Sequence, residues 1–233
     1  MEAQRRRGGM VGKGNTAEVV RWSRTTVVKL LRPGIPAEWA GQEAAVLAAV
    51  RAAGLPAPAV DGVVDVDGRA GIVLERIVGI PMWDRMKAAP DELAELTEAL
   101  ARLQDTIHAA GPLPGIPPLA ARVRDRIARA PLAPDERAAA TSLLATLPAG
   151  GALCHGDMHP ANVLLTDRGP VVIDWFDAAT GDPAADRARS ALLMRPLASA
   201  RSARPFLAGA TRPFLARLHD AVPDGGRAEA RDD

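Results

Sequence analysis

Asp157 and Asn162 stand five positions apart in the run Leu153-Cys154-His155-Gly156-Asp157-Met158-His159-Pro160-Ala161-Asn162, which leads into the apolar Val163-Leu164-Leu165. After a turn, a second apolar run, Val171-Val172-Ile173, ends in Asp174. Phosphoryl transfer from a metal-bound nucleotide needs such a set: one carboxylate orients a hydroxyl, while an amide and a second carboxylate hold the metal. Asp157 is the candidate to receive the nucleophile's proton. The transition state is loose, so placing the hydroxyl in line matters more than base strength. Asn162 offers a neutral oxygen ligand and Asp174 a charged one, a sparse set suited to Mg²⁺, which keeps water and phosphate oxygens around it. Each residue alone reads equally well as a turn or cap residue. All three in this order favour the chemistry.

His155 and His159 are spaced i,i+4, but Pro160 interrupts any helix through them and Cys154 has no partner cysteine, so a zinc site is not expected. His155 is expected to brace the loop and His159 to lie near the site. Gly12-Lys13-Gly14-Asn15-Thr16 is a glycine-containing turn whose N–H groups could fold over phosphates, or simply a tight hairpin. It is not a Walker A sequence. Lys29 ends the run Thr26-Val27-Val28 and is one of three lysines, with Lys13 and Lys87, in a chain whose basic residues are otherwise arginine. A lysine inside a strand suggests a compact point charge held by a carboxylate. Glu43, fourteen residues on, is the expected partner, and Glu38 the alternative.

The elements that position these residues follow from periodicity. Strands are expected over 18–22 and 25–31, a helix over 37–53 with Trp39, Val46, Leu47 and Val50 on one face, and a strand pair over 60–66 and 70–77 around Asp67-Gly68. After Gly79-Ile80-Pro81 the pattern turns helical. Helices are expected over 90–110, 119–130, 134–147, 183–194 and 205–221, with the motif strands between the third and fourth of them. The fold class is α+β with two lobes: 1–77 the nucleotide-binding lobe, 78–224 a helical lobe with the catalytic loop and acceptor site, and 225–233 a polar tail. A cleft between lobes is a usual small-molecule site.

Composition narrows the classes. The 233 residues carry 29 Lys+Arg and 28 Asp+Glu, a net charge of +1, so no global field draws the chain to nucleic acid or an anionic membrane. One cysteine allows no intrachain disulfide and fits a reducing cytoplasm. No apolar run approaches the ~20 residues of a membrane span, and no signal peptide is visible.

Together these segments resemble the aminoglycoside phosphotransferase family, small-molecule kinases with a bilobal protein-kinase-like fold. That fold has a small antiparallel sheet and one helix in the N-lobe and a mainly helical C-lobe. The resemblance runs from about residue 11 to 190. It is carried most specifically by His155-Gly156-Asp157-Met158-His159-Pro160-Ala161-Asn162 and Ile173-Asp174-Trp175, which read as the family's HGDxHxxN loop and its counterpart of the kinase DFG motif. It implies that Asp157 is the catalytic base and that Asn162 and Asp174 are Mg²⁺ ligands. Lys29 is then the phosphate-contacting lysine paired with Glu43. Gly12, Lys13, Gly14, Asn15 and Thr16 form the nucleotide-covering loop. Leu74-Glu75-Arg76-Ile77 is the hinge, and Asp186 a buttress of the catalytic loop. The expected activity is transfer of the γ-phosphate of ATP or GTP, with Mg²⁺, to a small-molecule hydroxyl. The covering loop departs from the family as Gly-Lys-Gly, short of a fuller glycine-rich set, and little chain follows Asp186 to build an acceptor pocket.

Seven arginines lie between Arg187 and Arg217 with no Asp or Glu before Asp220. If they face the cleft, the acceptor is neutral or anionic and not a polycationic aminoglycoside. If they are solvated helix faces, they say nothing of the acceptor. A protein kinase is the second enzyme reading, and the twelve-residue step from Asp174 to Asp186 leaves it little activation loop. A non-catalytic nucleotide-binding protein of the same fold is the third. RNA binding lacks support, since aromatics are 3% of the chain.

Overall fold

The structure, a computed structural model, describes residues 8–199, with side chains through residue 194. The expected helix over 205–221 and the polar tail lie outside the described residues.

Five strands form an antiparallel sheet: β1 (Met10–Lys13), β2 (Ala17–Arg21), β3 (Thr26–Leu31), β4 (Val60–Val66) and β5 (Arg69–Glu75), in the order β1-β2-β3-β5-β4. β3 is apolar on both faces because both are covered. Val27 and Leu31 face the helix α1 (Glu38–Ala52), while Val28 and Leu30 pack with Val73 under Val20, Trp22, Val64 and Val66. Lys29 shares the α1 side with Val27 and Leu31 by strand alternation. The β4–β5 hairpin turns through Asp67 and Gly68, both at positive φ (53° and 76°), as a type I′ turn demands. On α1, Ala40, Glu43, Leu47 and Val50 recur along one buried stripe, which brings a carboxylate onto an apolar face.

Beyond Glu75 the chain is mainly helical. It runs through β6 (Ile80–Pro81), α2 (Met82–Ala88), α3 (Leu93–Ala109), α4 (Leu119–Arg129) and α5 (Pro134–Thr146). Then come β7 (Ala152–Cys154), β8 (Val163–Thr166), β9 (Gly169–Val172), β10 (Ala179–Gly181) and α6 (Pro183–Ser199). β6-β8-β9 and β10-β7 are two small antiparallel sheets, and between them they carry the catalytic-loop candidate. Among the described residues, the helices expected from periodicity are present within a few residues of their expected ends. The 90–110 helix opens with a 3₁₀ turn, Pro90–Glu92, before α3, and Pro90 at its first position loses no intrahelical bond. β1, β6, α2, β7 and β10 are additional elements. Among the described residues, no helix is long and apolar enough to cross a membrane.

Candidate active site

The loop after β7 is wired from behind. His155 is fully buried. Its Nδ1 accepts from the Asp157 backbone N at 3.2 Å, so its Nε2 carries the proton and donates to the Ile173 carbonyl at 3.2 Å. Burial holds the His155 pKa below its ordinary value, so the ring stays neutral in this bracing role. Asp186, on the first turn of α6, accepts from the Gly156 N at 2.8 Å and the His155 N at 3.3 Å, and Gln104 and His108 of α3 reach it at 3.1 and 2.8 Å. These partners outweigh desolvation and hold its carboxyl below the usual carboxylate range. Gly156 sits at φ 78°, and a Cβ there would lie 2.4 Å from the Asp177 carbonyl, so the tight passage before Asp157 requires glycine.

Asn162 closes the loop from the other side. Its Nδ2 donates to the Asp157 carbonyl at 2.9 Å and to the Asp157 carboxylate at 3.0 Å, which leaves its Oδ1 as a donor atom for a cation. Desolvation pushes the Asp157 carboxyl up, but His159, whose Nε2 is 3.6 Å away, and Arg189 at 3.8 Å more than offset it. The group is held below its ordinary value and is ionised at neutral pH. Asp174 adopts a left-handed backbone conformation (φ 63°, ψ 62°), a sparsely populated state of the kind that gathers at functional sites. It presents a half-exposed carboxylate to Lys29 Nζ at 2.8 Å. Lys29 also reaches both Glu43 oxygens, at 2.7 and 2.9 Å. Burial works against its charge, but Glu43 and Asp174 outweigh it and raise its pKa.

These groups border one cavity of about 940 Å³. Of the residues expected at the site, Gly14, Asn15, Thr16, Lys29, Asp157, His159, Asn162 and Asp174 line it. Glu43 stands behind Lys29, and His155 and Asp186 stand behind the loop. Gly12 and Lys13 are ladder residues of β1, opposite Val19 and Glu18. Glu75 and Ile77 are not in the cavity wall. The Glu75 side chain instead accepts from the Ala59 N and pairs with Arg168 at 3.1 Å, joining the five-stranded sheet to the β8–β9 turn.

Other wall residues escaped the reading of the sequence. Trp39 of α1 stacks on Phe176, ring centroids 4.7 Å apart, and Phe176 follows Asp174 by two. α4 contributes Arg122, Arg126 and Arg129, spaced i,i+4,i+7 on one helical face, a pattern visible in the sequence whose direction was not. Of the arginine run after Asp186, the side chains of Arg187 and Arg189 are described. Arg187 pairs with Asp105 of α3 at 2.7 Å, while Arg189 bonds the Gly156 carbonyl and Asp177, the latter at 3.0 Å. The five later arginines have side chains outside the described residues.

Asp157, Asn162 and Asp174 offer hard oxygens, two carboxylates and an amide carbonyl, and among the described residues His159 Nε2 is the single imidazole nitrogen lining the cavity beside them. The oxygen set fits Mg²⁺ and does not fit zinc.

Residues 11–229 match the model of the phosphotransferase enzyme family, APH. The chain belongs to that family. No curated relative matches it at the level of sequence. Among solved structures it is similar to the aminoglycoside phosphotransferase APH(3'')-Id of Streptomyces rimosus in complex with ADP and streptomycin. That match has 21% identity over 86% of this chain and 83% of that one, with a TM-score of 0.63. The type VIII aminoglycoside-3'-phosphotransferase is 25% identical over 94% and 87%, TM-score 0.58. The GDP and kanamycin complex of an APH(2") enzyme is 18% identical over 91% and 79%, TM-score 0.56. The fold is therefore the protein-kinase-like fold of this family. The protein is a nucleotide-dependent phosphotransferase that acts on hydroxyl groups.

Proposed function

We propose that the protein transfers the γ-phosphate of ATP or GTP to a hydroxyl of a small molecule, with Asp157 as the base and Asn162 and Asp174 as ligands of Mg²⁺. The observation that carries this reading is the meeting of Lys29, Asp157, Asn162 and Asp174, from four separate segments, on one cavity wall. Lys29, kept charged by Glu43, binds the nucleotide's phosphates. Gly14, Asn15 and Thr16, which line the cavity, cover them. A bound Mg²⁺ neutralises charge on the transferring phosphoryl group. Asp157 takes up the acceptor's proton. Its low pKa is no obstacle, because the loose transition state asks for alignment before basicity. Asn162 supplies that alignment by fixing one Asp157 oxygen at 3.0 Å. The step from Asp174 to Asp186 is occupied by a 3₁₀ turn, β10 and the start of α6. That favours a small-molecule acceptor over a peptide.

The test is nucleotide turnover over a panel of hydroxylated compounds, with Asp157→Ala as the control. Turnover in the variant should fall by at least ~10³-fold, the combined loss of a positioned base and of alignment. Near-wild-type turnover would remove Asp157 from this role.

A further inference from the structure

The α4 side of the cavity has an electrostatic character of its own. Arg122, Arg126 and Arg129 of α4 face it, together with Asp125 and Asp177. Asp177 is firmly engaged, and the exposed Asp125 only weakly. Asp177 is held by Arg126 at 2.7 Å and by Arg189 at 3.0 Å, and Asp125 by Arg129 at 3.5 Å. Arg122 is different. It enters no ion pair among the described residues, and its Nε is buried without a hydrogen-bond partner. Its guanidinium lies over the Phe176 ring, 5.8 Å from the centroid, and Phe176 is backed by Trp39. A buried N–H donor without a partner is costly, and native structures rarely keep one without a use. Stacking on an aromatic face leaves the edge of the guanidinium fork free to meet a planar or tetrahedral anion in two parallel hydrogen bonds.

We propose that Arg122, stacked on Phe176 and flanked by Arg126, is the subsite for an anionic group of the acceptor, a carboxylate or a phosphate borne by the molecule whose hydroxyl reaches Asp157. This rests on the phosphotransferase reading of the same cavity. A polycationic acceptor would meet Asp177 already held by two arginines, and would find only the exposed Asp125 beside the three arginines of α4. A neutral polyol would leave Arg122 without its partner. An acceptor with one or two negative charges satisfies Arg122 and faces arginines along one side of α4. The carboxylates Asp157 and Asp174 remain for the reacting end.

The experiment uses the full chain, Mg²⁺ and a non-hydrolysable ATP analogue, with gluconate, glucose 6-phosphate, glucose and kanamycin as probes. Calorimetric titration measures binding, and turnover with ATP is measured in parallel. Wild-type protein should bind gluconate or glucose 6-phosphate more tightly than glucose, and whichever binds decides between carboxylate and phosphate. In Arg122→Gln that affinity should fall about 10- to 100-fold, the worth of a charge-assisted bidentate contact. Arg122→Lys, which keeps the charge and loses the fork, should recover only part of it. Affinity for the ATP analogue should be unchanged in both variants. The thermal midpoint of Arg122→Gln without ligand should fall by no more than the loss of the Phe176 contact, since its Nε has no hydrogen bond to lose. Preference for kanamycin or glucose, or gluconate and glucose 6-phosphate affinities that ignore Arg122→Gln, would overturn the proposal. A loss of nucleotide affinity in Arg122→Gln would overturn it too, by giving Arg122 to the nucleotide. If the anions bind through Arg122 while ATP is never turned over, the subsite stands and the phosphotransferase reading of the cavity is what fails.

Discussion

Asp186 shows how a residue that lines no cavity governs one that does. Its two oxygens gather four donors: the backbone N–H groups of His155 and Gly156, the Gln104 amide and the His108 ring. With 2% of its surface exposed it has little water to fall back on. Asp186→Asn places an amide NH₂ among those donors. It should destabilise the fold by about 3 kcal/mol, since hydrogen bonds to a buried charge exceed the usual worth and some donors lose their acceptor. The pH dependence has a definite sign. The native carboxyl titrates below its ordinary value, so its contribution is present above about pH 4, the unfolded value. It is lost as the pH falls through the depressed native pKa. Acid unfolding monitored by circular dichroism should therefore be steeper in wild type than in Asp186→Asn. Parallel acid profiles would show that Asp186 carries no such linkage. The same change should lower turnover while leaving nucleotide affinity nearly intact, because Gly156 and Asp157, not Lys29, lose their support.

At the scale of elements, the Lys29–Glu43 pair locks β3 to α1. Glu43 is 2% exposed on an otherwise apolar helical stripe, and its charge is tolerated only because Lys29 lies within 2.9 Å of both oxygens. Lys29→Met should cost about 3–5 kcal/mol, the usual penalty for stranding one member of a buried pair. The double change Lys29→Met with Glu43→Met should cost less, or nothing, while abolishing phosphate contact. Urea denaturation of Lys29→Met, Glu43→Met and the double variant closes the cycle, and strictly additive losses would show that the two residues do not interact. These elements were legible in the sequence because each carries its own periodicity: alternation in β3, the stripe of α1, the amphipathic α3. β1 was read only as a glycine turn, since Gly12 and Gly14 hide a strand that exists by pairing with β2. β6 and β10, of two and three residues, are too short for any period, and α2 lies in a seven-residue span before Pro90. The candidate catalytic loop could be singled out because its order and residue types alone mark it. The Phe176–Arg122 wall could not, because two distant segments meet there and nothing local tells which way the arginine face of α4 turns. Asp186 stood in between: the resemblance implied a buttress, and only the packing of α3 against α6 supplies its Gln104 and His108 partners.

Over the whole molecule, the boundary proposed at residues 77 and 78 separates compositions more than it separates packing. One continuous apolar cluster includes Val27, Leu31 and Ile72 of the sheet, Leu47 and Val50 of α1, Met82 and Met86 of α2, Leu100 and Ile107 of α3, and Leu153, Met158 and Trp175 around the catalytic loop. Polar links cross the same line: the Val172 N donates to the Pro56 carbonyl at 2.7 Å, Arg168 meets Glu75 at 3.1 Å and Lys29 meets Asp174 at 2.8 Å. Neither lobe can lose its partner without exposing part of that cluster, so burial couples them. The chain should therefore unfold in one cooperative step, even at a length where separate domains often uncouple. Far-ultraviolet circular dichroism and tryptophan fluorescence should give one coincident midpoint. Mg²⁺ with ATP at 100 times its dissociation constant should add about 2.7 kcal/mol, a rise of roughly 5–10 °C for a chain of this size, without splitting the transition. Two resolved transitions, with only the first moved by nucleotide, would mean that the lobes fold independently and that the shared core does not bind them into one unit.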